Sequence, residues 1–294
     1  MLSGITFVIL GALFFGISNV YWKIAGRNLA FANLVFFRGL ISSSFFGLLW
    51  FYIIKTDLYS IFVIQDPTNL HITITVIICL VCSLGLVFFL KSLSSSPASI
   101  TIPISSINIF GILTAVIVLS ETFKTVQAIS FLLAFVGILL VNSFSFKHDT
   151  LKWNVGATYA LLASFFWGVT YTLFKYSALW LGVVPLAFIL ELCVTIVALV
   201  WLLFSSKDLK DEFTITFSKL KQYTILAALL IGGTIFLNLA LLKLPVLLVN
   251  IFFNSNIIIS VLFARIVYRE LITSNQLIGI LFIISSMLVS HIVK

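Results

Sequence analysis

Arg38 and Glu191 stand inside long apolar runs, each several residues from the nearest polar break. A charge withdrawn from water needs a partner or a task, because its lost hydration is costly. Glu191 is the one carboxylate so placed, which makes it the first candidate proton carrier if flux is coupled to protons. Burial and a neighbouring lysine would act on its proton affinity in opposite senses. Exchange or facilitated diffusion would need no such group. Lys175 is the expected partner of Glu191, since the runs that carry them meet at a short turn. Arg38 has no comparable acid nearby, and its neighbour across the equivalent turn is Lys23, of like sign. That half of the chain is therefore expected to be electropositive and suited to a solute bearing a carboxylate. The competing reading gives Arg38 a structural task, fixing helix ends through backbone carbonyls.

Polar stripes at helical spacing supply further candidates. Gly16, Asn19 and Lys23 fall at i, i+3 and i+7, and Gly168, Tyr171 and Lys175 repeat that geometry. Each stripe offers one polar group and one cation to an interior space, or else each lysine snorkels to headgroups. Thr101, Ser105 and Asn108 form a second stripe, with Asn250 and Asn254 at the repeat-equivalent positions of Thr101 and Ser105. These groups either bind a polar solute or act as hydrogen-bonding glue between helices. Asn256 points nearly opposite to Asn254, so at most one of them reaches a shared cavity, and Asn254 is the candidate. Trp22, Trp167 and Tyr171 lie on the same faces and could stack on a ring-bearing solute.

Catalytic chemistry is poorly served. His71, His148 and His291 are far apart at run ends, and no H-E-x-x-H, G-x-S-x-G or paired acids occur. Cys79 and Cys82 make a C-x-x-C inside an apolar run with no His or acid beside it, and with Cys193 they read as small packing residues rather than metal ligands. No catalytic residue, metal or cofactor is expected. The formal charge of +8 comes from scattered basic residues rather than a groove, so anionic lipid headgroups, not nucleic acid, are the expected counterpart.

The elements that position these groups follow from composition. Of 294 residues, 62% are hydrophobic and 9% charged, and the mean hydropathy is +1.25. Apolar runs fall near 4–24, 31–54, 71–90, 98–119, 125–144, 155–177, 183–204, 222–242, 245–268 and 273–292. Each has the length of a membrane-crossing helix, about 20 residues, and is too long for a barrel strand. Backbone groups unpaired in lipid are prohibitively costly, so the runs must be helical. The longest polar connection is Lys207 to Lys221. No cleavable signal peptide is expected, because the first run continues to membrane length. The expected setting is the cell (inner) membrane, as a multi-pass protein.

Two copies of one unit are legible. Phe15-Gly16 with Lys23 matches Trp167-Gly168 with Lys175 at an offset of 152, and Glu121 with Gln127 matches Glu270 with Gln276 at 149. Arg38 aligns with Glu191 between the second and seventh runs. An odd number of helices per copy inserts the second copy upside down. The expected fold class is an all-α integral membrane protein of ten transmembrane helices in two inverted five-helix repeats, 1–146 and 153–294, joined by a linker at 147–152.

With Gly11 to Gly16, Arg38, Ser96-Pro97-Ala98-Ser99, Glu121 and Glu270 in these places, the chain resembles the ten-helix EamA-like branch of the drug/metabolite transporter superfamily over essentially its whole length. The resemblance implies a central cavity lined mainly by spans 1, 3, 4, 6, 8 and 9, with spans 5 and 10 structural. It names no substrate. Two departures are that the second half keeps Pro245 without the small-Pro-Ala-Ser sequence, and that Gly137 lacks a matching glycine in span ten. Pro103, Pro245 and Gly232-Gly233 are candidate hinges or static kinks.

The expected function is a secondary carrier for a small polar or amphipathic metabolite, working by alternating access, with export among its directions. Its expected partners are that small molecule and membrane lipids, and the chain is read as no enzyme. A channel or sensor, or a lipid-modifying enzyme, is the alternative. Monomer and homodimer stay open, as does orientation: the count of flanking lysines and arginines favours termini outside the cytoplasm, and the resemblance favours termini within it.

Overall fold

The structure is a computed structural model that describes residues 2–56, 67–96, 98–106, 109–142, 155–205, 213–268 and 273–292. The linker at 147–152, and with it the boundary assigned between the halves, lies outside the described residues. The described helices are α1 (Leu2–Ala25), α2 (Phe31–Lys55), α3 (Asn69–Ser95), α4 (Ala98–Ser105), α5 (Ile109–Ile117) and α6 (Thr125–Asn142) in the first half. The second half holds α7 (Val155–Leu181), α8 (Val183–Ser205), α9 (Phe217–Lys243), α10 (Val246–Phe253), α11 (Ser255–Tyr268) and α12 (Ser274–Ile292).

Eight spans among the described residues are long and apolar enough to cross a membrane, with α10 and α11 together forming the 23-residue span Val246–Tyr268. The remaining two are the shorter apolar α6 and the pair α4 and α5, which completes the ten. Large apolar side chains such as Leu48, Phe204 and Ile266 are exposed, while Ser18, Ser42, Thr172 and Ser177 are buried, the reverse of a water-soluble surface.

The halves interlock rather than sit side by side. α3 packs along α7, and by the same relation α9 packs along α1. α2 packs on α8 and α6 on α12, each helix against its own repeat-equivalent. The matched glycines of the sequence now have a physical reason. A Cβ on Gly16 would stand 2.8 Å from the Asn256 carbonyl oxygen on α11, and one on Gly168 would stand 2.7 Å from the Gly111 nitrogen on α5. Each glycine admits the broken span of the opposite half. Gly137, which has no repeat-equivalent glycine in the last span, instead faces Gly279 there: a Cβ on either would lie within 2.7 Å of the other's carbonyl oxygen.

α4 and α5 make the fourth span, with Ser106 in a turn after α4, residues 107–108 outside the described residues, and Pro103 inside α4, a residue that has no amide to donate. α10 and α11 make the ninth, interrupted at the single turn residue Asn254, whose N–H reaches back to the carbonyls of Ile251 and Phe252. Pro245 is the N-cap residue of α10, ahead of the first helical position, so it breaks no bond there.

Candidate functional site

The interior carries a cavity of about 90 Å³. α1 contributes Asn19 and Trp22, α2 Arg38, α3 Cys82 and Phe89, and α7 Trp167 and Tyr171. Glu191 comes from α8, Thr234 and Asn238 from α9, and Phe253 and Asn256 from either side of Asn254 in the ninth span, while Ser105 and Ser106 lie at the end of α4. Both halves therefore build one space, and among the described lining residues none comes from α6 or α12.

Arg38 donates to Glu191 through Nη1, and both are almost fully buried. This corrects two expectations. Glu191 does not pair with Lys175, and Arg38 does not lack an acid. Equivalent positions on α2 and α8 meet where those helices cross, and the two opposite charges satisfy each other across that crossing. α7 and α8 are joined by a short turn, yet the side chains of Lys175 and Glu191 leave on different faces. The guanidinium carbon of Arg38 also lies 5.8 Å from the centroid of the Trp22 ring. The pair carries no net charge, so the expected electropositive half is not what the cavity presents.

Three buried polar atoms beside this pair have no hydrogen-bond partner among the described residues: Arg38 Nε, Asn238 Nδ2 and Asn256 Oδ1. Two are donors and one is an acceptor, and all three residues line the same cavity. Uncompensated burial of such groups costs about 1–3 kcal/mol each. Around them stand the rings of Trp22, Trp167, Tyr171, Phe89 and Phe253, with Trp167 and Tyr171 stacked at 6.2 Å.

The remaining sequence candidates fall elsewhere. Lys23 donates to the carbonyls of Leu93 at 3.0 Å and Ser96 at 3.5 Å, and Lys175 to that of Leu244 at 3.2 Å and to Glu121 at 3.5 Å. Neither is among the cavity's lining residues, and neither snorkels, because each ties its helix to the chain at the break before a discontinuous span. Thr101 is fully buried and accepts from Ser92, whose hydroxyl also lies 2.7 Å from the Gly156 carbonyl, so it serves as glue between helices. Asn250 lines a smaller space of about 10 Å³ next to Tyr171. Asn108 lies outside the described residues.

Asn254 is buried away from the cavity and Asn256 takes the position expected of it. Phe253 and Asn256, three residues apart, share the face of this span that lines the cavity, and Asn254 lies off it. Asn238 was missed altogether. Its signal was an amide one turn beyond Thr234 in the otherwise apolar stretch Ile225 to Leu242.

A family model described as the EamA-like transporter family matches residues 2–143 and again 154–291, nearly the whole chain in two copies. The chain belongs to the EamA-like transporter family. It is thus a multi-pass integral membrane protein and a membrane transporter of small molecules, built as two inverted five-helix repeats. No curated protein matches it. The EamA-like chain is also similar to a protein of known crystal structure at 13% identity, over 98% of this chain and 97% of that one, with a TM-score of 0.71. At that identity the likeness shows a shared fold alone.

Proposed function

We propose that this EamA-like protein is a secondary carrier working by alternating access, with the Arg38–Glu191 cavity as its solute site. One observation carries the reading: an interior space walled by both repeats, holding a neutral ion pair and three buried polar atoms without partners among the described residues. The volume corresponds to roughly six to nine water-sized positions. That suits a small metabolite.

The solute class follows from the charges. Arg38 holds Glu191 through Nη1 and keeps Nε free to receive a solute carboxylate, which brings a second anion to a single buried cation. An ammonium on the same solute compensates that anion, so the carboxylate expected from the sequence belongs to a zwitterion. The aromatic wall suits an apolar or ring-bearing side group. Because Glu191 is engaged by Arg38, proton coupling would require the pair to part, and exchange or facilitated diffusion is the simpler cycle. Export is then one of two directions set by the solute gradient.

The test is counterflow in proteoliposomes with labelled neutral, anionic and zwitterionic metabolites, with and without a pH gradient. The reading expects saturable uptake that unlabelled solute on the far side accelerates, and about a tenfold loss in Asn256→Leu or Asn238→Leu at unchanged thermal midpoint. Flux that rises linearly with concentration and ignores the far side would point to a channel and end the carrier reading.

A further inference from the structure

At the end of the bundle that holds the C-termini of α7 and α9, one carboxylate ties four chain segments together. Glu121 follows the fourth span, and its two oxygens accept from the first free amides of α10: Oε1 from Val246 N–H at 2.8 Å and Oε2 from Leu247 N–H at 2.9 Å. Lys175 of α7 reaches Oε1 at 3.5 Å and the carbonyl of Leu244, the residue that caps α9, at 3.2 Å. The carboxylate thus meets a positive helix end and a lysine at once. The backbone is bent to deliver it. Ser120 has φ of +52°, the one non-glycine residue in the left-handed region among those described, and the Glu121 N–H closes back onto the Ala115 carbonyl.

The far end of α10 is the cavity wall. That helix has eight residues, about 12 Å of length, and finishes at Phe253, which lines the cavity, just before the turn residue Asn254. A rod pinned at the bundle end by Glu121 and walling the cavity at its other end cannot swing out without breaking the pin. Bistable packing of this kind converts small contacts at a site into movement of a whole segment.

We infer that Glu121 and Lys175 are the latch that holds α10 closed over the α7/α9 end of the cavity, and that their release opens this end to solute. The inference rests on the alternating-access reading above. Glu121 acts here as a positioning residue; among the described residues it does not line the cavity.

Electron spin distances test it in the absence of any solute. The buried Cys79, Cys82 and Cys193 are replaced by Ala, and the exposed Lys124 and Lys243 are changed to Cys and spin-labelled in lipid nanodiscs. Asn28→Cys with Ser94→Cys reports in the same way on the opposite end, which holds the C-termini of α1 and α3. Glu121→Gln removes the ion pair and one amide acceptor, whereas Lys175→Gln leaves both amide bonds intact and guards against a fold lost with Glu121. Both variants are expected to raise the long-distance population at the α7/α9 end at least threefold and to shorten the distances at the opposite end. General loosening would not produce that reciprocal shortening. Unchanged distances at the α7/α9 end in both variants, each with the parent's thermal midpoint, would overturn the latch. Opening at that end with no closure at the other would uphold the latch and instead remove alternating access.

Discussion

The two halves agree at their first helices and disagree at their second. Lys23 and Lys175 are equivalent in the repeat, and each donates to a backbone carbonyl just ahead of the fourth span of its own repeat. Gly16 and Gly168 likewise do one job twice, admitting a partner span at close range. At the next helix the copies part, with Arg38 in one and Glu191 in the other. These positions meet each other across the α2–α8 crossing, so identical charges there would confront themselves in a nearly dry interior. Opposite charges turn that repulsion into an ion pair. The same divergence appears on the third spans of the repeats, where Phe89 and Asn238 both face the cavity. Duplicated residues build the scaffold, and the residues that differ make the cavity asymmetric, as an asymmetric solute requires.

The comparison breaks most decisively at the pair itself. Arg38→Ala or Glu191→Ala leaves a lone buried charge and is expected to cost about 3–5 kcal/mol, read as a lower denaturation midpoint in detergent. The double variant Arg38→Met with Glu191→Leu is expected to regain most of that stability yet stay inactive in counterflow. Recovered transport in the double variant would show that the pair serves folding alone.

Gly16→Ala and Gly168→Ala come next. Overpacking at these contacts is expected to cost about 1–3 kcal/mol, and by the repeat argument the two losses in thermal midpoint should be similar. A large gap between them would show that the interlocking is not shared equally by the two halves.

Lys23→Gln is the mildest change. It removes hydrogen bonds to two carbonyls at a half-buried position, at about 1 kcal/mol or less, and is expected to leave the preference among anionic, neutral and zwitterionic solutes unaltered. A changed preference would return Lys23 to the solute site from which its geometry removes it.

Local pattern made much of this legible. The ten spans, the duplication and the inward faces bearing Asn19, Trp22, Trp167 and Tyr171 follow from hydropathy and helical period, which are sums over neighbouring residues. Asn256 escapes a local reading because the residues of the ninth span do not say which face turns inward: Phe253 and Asn256, three residues apart, share the face that lines the cavity, and Asn254 lies off it. Asn238 stands one turn beyond Thr234, and that single polar pair in an apolar stretch is the whole of its local signal.

Membrane residence, helix count and two-fold design were thus decided by the sequence alone, since each apolar run must satisfy its own backbone bonds in lipid whatever surrounds it. Only the tertiary structure decided that Arg38 meets Glu191, 153 residues away, and that Glu121 caps a helix in the other half. A buried charge takes its partner from how neighbouring helices rotate and cross. Close approaches such as those of Gly16 to α11 and of Gly168 to α5 set those rotations, and no local window contains them.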